Sequence, residues 1–125
     1  MRHFNPNTDP LLFACPCCGE GKPSNRLKAM LDELREEVGF GVGVSSGPRC
    51  EAHNASVLGH RESEHLVGDE HGDCDGVDIP CDSSARRFRI LEAAYKLGFT
   101  RIGVGSSFIH LGVSEEHPQH VMWVY

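Results

Sequence analysis

The chain has 125 residues, a net charge of −6 and a pI near 5.7. That length fits a single domain, 1–125, with one hydrophobic core. The acidic balance argues against DNA or RNA as partner, since both demand clustered Lys and Arg, and no apolar run approaches the ~18 residues of a membrane span.

Residues 1–23 form a Cys/Pro-rich segment, with Pro6, Pro10, Pro16, Pro23 and the run Cys15-Pro-Cys17-Cys18-Gly19. The N-terminus has no apolar h-region, so a cytoplasmic chain without a signal peptide is expected. Ser24 is a helix N-cap. From it, Leu27, Leu31, Leu34 and Val38 recur at helical spacing, and Gly39 fits the left-handed stop. Gly41 to Ser45 alternates like a short strand. The stretch from Ser46 to His60 reads as a loop with a turn or two of helix, and 61–76 as a polar, acidic loop. Val77 to Pro80 reads as a strand. Ser83 or Ser84 caps a second helix ending near Leu97, with Phe88, Leu91, Ala94 and Tyr95 facing inward and Gly98 as its stop. Three further strands are expected at Arg101–Val104, Ser107–Val113 and Val121–Tyr125. The pattern is α+β: two helices packed on a small antiparallel sheet.

Within this frame His65, Asp78 and His110 each stand among apolar or glycine residues. Two histidines and a carboxylate would hold a divalent zinc and leave a fourth position open, the layout of a catalytic site. Strand alternation puts Val77 and Ile79 on one face and Asp78 on the other, and likewise separates His110 from Ile109 and Leu111. If the two strands pair, Asp78 and His110 can share a face, with His65 arriving from the preceding loop.

Six cysteines are many for a chain in a reducing compartment. Cys15, Cys17 and Cys18 could hold a second, structural metal together with Cys50, Cys81 or a histidine, or could simply be reduced thiols. Asp73-Cys-Asp75-Gly76 begins like a calcium loop but lacks the bidentate glutamate, so a solvated loop is the better reading.

The ordered motifs carry a resemblance. The chain contains Ser46-Gly-Pro48-Arg49 with His53 after it, Ser63-Glu-His65-Leu-Val-Gly68, Gly76-Val-Asp78-Ile79, Phe108-Ile-His110, and Trp123-Val-Tyr125 at the end. In these it resembles the zinc D-Ala-D-Ala carboxypeptidase family, of the hedgehog/DD-peptidase fold, and especially its compact phage and prophage members. The resemblance spans nearly the whole chain. It implies zinc at His65, Asp78 and His110, and a peptidoglycan stem peptide as substrate. It also implies that Arg49 acts catalytically, holding the substrate's terminal carboxylate or polarising the scissile carbonyl, with Ser46 and His53 beside it as substrate-binding residues. A monomer, released to the cell wall by a phage lysis system or virion, is the corresponding expectation.

Three positions depart from the family pattern. The stretch 69–74 lengthens the gap between the first histidine and the aspartate. His71 stands seven residues before Asp78, which is the family spacing, and so competes with His65. His65 is preferred because Ser63 and Gly68 flank it correctly. Gly112 occupies a position where relatives usually carry aspartate, and Pro48 replaces a tyrosine. No general base is assigned; Glu64, His71 and Asp75 are the candidates, and Ser107 stands where some relatives carry a carboxylate.

Overall fold

The computed structural model describes residues 22–57, 63, 65–67 and 73–125, apart from the side chains of 51 and 53. Helix α1 spans Asn25–Val38, with the Ser24 hydroxyl accepting from Leu27 N at 3.2 Å and Gly39 closing the helix at φ 74°. Leu27, Leu31, Leu34 and Val38 are its buried residues, as the spacing predicts. A short helix α2 covers Glu51–Ser56. Strand β1 is Gly76–Pro80, helix α3 Ser84–Leu97, and strands β2, β3 and β4 are Arg101–Val104, Phe108–Gly112 and Val121–Val124. Ser83 caps α3 and Gly98 ends it at φ 92°.

The four strands lie in the order β1-β3-β2-β4. The α+β class is as expected, but the sheet is mixed rather than antiparallel throughout. β1 and β2 both pair with β3 antiparallel, whereas β4 pairs with β2 in parallel. The reason is steric: both edges of β3 are already taken, so the chain leaving it at Gly112 must cross to the free edge of β2. Eight residues, 113–120, suffice for that crossing.

One face of the sheet is covered by α1 and α3. Val77, Ile79, Ile102, Ile109 and Leu111 pack there with Leu27, Leu31, Leu34, Ile90, Ala93 and Ala94 in a single core. The inward face of α3 keeps Ala94 and Leu91 as expected but not Phe88 and Tyr95. Ile90, Ala93 and Ala94 are buried and Leu91 packs partly against the core, while Phe88 and Tyr95 are 71% and 80% exposed. α3 packs against α1 as well as the sheet, and alanines at the contact let two helices approach closely where large rings would hold them apart. Gly41 to Ser45 is not a regular strand; the neighbouring Ser46 makes only an isolated bridge to Asp78.

Candidate metal centre

The face of the sheet opposite the helices carries the polar cluster. Asp78 and His110 are direct cross-strand partners in the β1–β3 register, so pairing these strands by their apolar residues automatically sets carboxylate beside imidazole. His110 Nδ1 lies 3.0 Å from Asp78 Oδ1.

His65 arrives from a loop that hydrogen bonds pin in place. Ser63 Oγ accepts from His65 N at 3.2 Å. Arg49 N donates to His65 O at 2.7 Å, and Val67 N donates to Arg49 O at 2.9 Å. The ring itself is held at Nδ1, 2.7 Å from the Gly47 carbonyl. A carbonyl only accepts, so the proton sits on Nδ1 and Nε2 presents a lone pair. That Nε2 lies 3.2 Å from Asp78 Oδ1 and 3.2 Å from His110 Nδ1.

Three ligand-type atoms thus stand 3.0–3.2 Å apart. The edge of a tetrahedron around zinc, with bonds of about 2.0–2.1 Å, is about 3.3 Å. The donor set therefore suits zinc in number, type and spacing. Among the described residues this is the one group of three or more His, Cys, Asp or Glu side chains that could hold a metal ion.

Burial supports the same chemistry. His65 and His110 are 3% and 4% exposed. Burial lowers the His65 pKa below its ordinary 6.5, partly opposed by Asp78, so the ring is kept neutral as a metal ligand must be. For Asp78, burial pushes the carboxyl up. The combined hydrogen bonds and charges of His110 and His65 outweigh that push and hold it well below the usual carboxylate range.

Arg49 is turned toward this cluster. Its Nη2 donates to Asp78 Oδ2 at 3.2 Å, Nε to Ser46 Oγ at 3.1 Å and Nη1 to Asn54 Oδ1 at 3.3 Å. Ser46 also anchors the strand that bears the aspartate: Asp78 N donates to Ser46 O at 2.8 Å, and Ser45 N to Asp78 O at 2.9 Å. The structure thus brings His65, Asp78, His110, Arg49 and Ser46 together. The His53 side chain, and all of Cys15, Cys17, Cys18, Glu64 and His71, lie outside the described residues. Cys81 is buried against Ser83 O at 3.5 Å, away from the cluster. Ser107 is exposed at the β2–β3 turn.

Two contributors were not singled out from the sequence. One is Gly47, whose carbonyl fixes the His65 tautomer. The other is Asn54, 3% exposed, which steadies Arg49. A buried asparagine on a short helix gives no period that would reveal it.

The family comparison agrees with this geometry: residues 11–112 match the description Peptidase M15. The chain belongs to the peptidase M15 family. The match covers every residue of the cluster in this M15 chain. Membership carries zinc-dependent peptidase chemistry at the level of the family, and the mixed four-stranded sheet with its helices is compatible with that fold. No curated protein and no solved structure shows significant similarity to the chain. No described helix is long and apolar enough to cross a membrane.

Proposed function

We infer that this M15 chain hydrolyses a peptide bond in peptidoglycan stem peptides, as a D-Ala-D-Ala carboxypeptidase or the related endopeptidase. His65, Asp78 and His110 are the zinc ligands in this reading. The observation that carries it is the convergence of His65 Nε2, Asp78 Oδ1 and His110 Nδ1 at zinc-like spacing on one sheet face. Its compact phage-type sequence motifs support a role in opening a bacterial wall.

Zinc, when bound, supplies Lewis-acid polarisation of the scissile carbonyl and acidifies a water. The chain's residues do the rest. Asp78 contributes the one negative charge of the ligand set. The Gly47 carbonyl keeps the His65 lone pair directed at the metal position, the second-neighbour support that metal-binding histidines usually have. Arg49 orients Asp78 through Oδ2 and brings a permanent positive charge to the rim of the site. A planar guanidinium there suits both a substrate carboxylate and the oxyanion that develops during attack.

The test is zinc content of purified protein together with cleavage of a muropeptide ending in D-Ala-D-Ala, for wild type and His110→Ala. Zinc near one per chain with cleavage, both lost in the variant, is the expected result. A second reading, a zinc-holding wall-binding module of the same fold, is favoured by Gly112. A side chain there would share the face of His110, and glycine offers no carboxylate for proton handling. Zinc bound without cleavage of any stem peptide would select that reading.

A further inference from the structure

The sheet face that bears Asp78 and His110 continues past them. Paired positions run across all four strands as Asp78, His110, Gly103 and Trp123. The row therefore ends in an indole. Gly103 makes this possible, because a Cβ there would meet Trp123 Cε2 and Nε1 at 2.7 Å and Tyr125 Cε2 at 2.8 Å. With no side chain in the way, the indole lies over the β2 backbone, and its ring centroid stands 5.5 Å from that of His110.

The aromatic surface extends further. Tyr125, on the same face, lies 6.3 Å from Trp123 and 4.8 Å from Phe108. Gly105 repeats the device of Gly103, since a Cβ there would collide with the Phe108 ring. The Arg101 guanidinium, 5.3 Å from the indole centroid, flanks Trp123 as well. Trp123 and Phe108 are half-buried and Tyr125 is 67% exposed, so the rings keep faces open to solvent. An open aromatic wall beside a few convergent polar atoms is the usual makeup of a ligand cleft. None of these rings has a part in the chemistry above.

We propose that Trp123, backed by Tyr125 and Phe108, is the apolar wall of the substrate cleft and receives the small aliphatic side chain of a residue flanking the scissile bond. The indole neighbours the imidazole of His110 directly, so the group it meets is one attached next to the reacting carbonyl. This assignment rests on the peptidase reading.

Trp123 is the sole tryptophan of the chain, so selectively excited indole emission reports on the wall alone. Zinc-loaded protein is titrated with diacetyl-L-Lys-D-Ala-D-Ala and with the two analogues in which one D-Ala is glycine. The expected result is a saturable change in emission, and kcat/KM lower by about four- to tenfold when glycine replaces the D-Ala that meets the wall. Trp123→Ala, which removes the ring, and Gly103→Ala, which pushes it aside, should each reduce that preference to below about twofold with zinc content unchanged.

Unchanged emission at saturating peptide, or an intact preference for D-Ala in both variants, overturns the wall while leaving the peptidase reading in place if cleavage persists. A saturable emission change without hydrolysis of any peptide overturns the peptidase reading and keeps the wall as a peptide-binding surface. Loss of zinc in both variants would mean that the indole only props His110, and overturns the assignment. Neither emission change nor hydrolysis overturns both.

Discussion

Asp78→Asn tests the metal centre most directly, because it changes one oxygen to nitrogen at nearly constant shape. In the wild type, free zinc a thousandfold above its dissociation constant adds about 4 kcal/mol to stability by mass action. For a domain of this size each kcal/mol moves the melting midpoint by roughly 3–5 °C, so the expected zinc-induced shift is about 12–20 °C. Asp78 is the only anion in the proposed ligand set, with Oδ1 3.0 and 3.2 Å from the two imidazole nitrogens. Replacing an outer partner of a metal ligand costs 10–100-fold in affinity, so losing the anionic ligand itself should cost at least about 100-fold. At the same zinc concentration about 1.4 kcal/mol would remain, a shift of roughly 5 °C. The variant also deprives Arg49 of the ion-pair partner 3.2 Å away, so its shift is read against its own metal-free baseline. Circular-dichroism melts in zinc-buffered solution make the measurement. An undiminished zinc shift in Asp78→Asn would refute the assignment and place the metal elsewhere, with Cys15, Cys17 and Cys18 the first alternatives to substitute.

Acid should weaken the metal-free protein. The folded His65 binds its proton less readily than the ordinary 6.5 of the unfolded chain, and Asp78 binds its own less readily than the ordinary 3.8. In both cases the unfolded state takes up more protons, so stability falls as pH drops below about 6.5 and again through the carboxylate range; a urea midpoint that stays flat from pH 7.5 to 5 would contradict this. Leu34→Ala should destabilise by about 2–5 kcal/mol in urea unfolding, since the side chain is fully buried between α1 and the core. Phe88→Ser, by contrast, should change stability by no more than about 0.5 kcal/mol because that ring is exposed, and a loss above about 2 kcal/mol would mean that α3 is rotated from the face described. Gly98→Ala should cost about 1–2 kcal/mol in the same assay, entirely from the left-handed backbone, because nothing lies within 4 Å of the added methyl.

Residues whose role is set by local spacing were legible in the sequence. The leucine stripe of α1, its Ser24 cap and its Gly39 stop are all local, and they match the structure closely. Alternation in β1 and β3 placed Asp78 and His110 opposite the core residues, and strand pairing then made them neighbours. Less local features were not legible. On helix α3 Ala94 is expected inward and is buried, but side-chain size wrongly favours Phe88 and Tyr95 over Ile90 and Ala93. Only the close approach of α1 selects the alanines. The direction of β4 follows from which strand edges remain free, and alternation carries no record of that. In the site, Gly47 acts through a backbone carbonyl and Asn54 through a single long-range hydrogen bond, and neither leaves a periodic trace.

The centre is built from parts of unequal firmness. Asp78 and His110 are locked by the strand register, whereas His65 is tethered by a handful of hydrogen bonds to Ser63, Gly47 and Arg49. On the proposed ligand set, a bound ion would join the register-locked pair to the hydrogen-bonded loop that already seats His65 3.2 Å from both. The ion would then act as a clasp, and amide exchange at 65–67 should slow upon loading far more than exchange in β1 or β3. Stripping the metal would loosen one loop and leave the sheet ready to be reloaded.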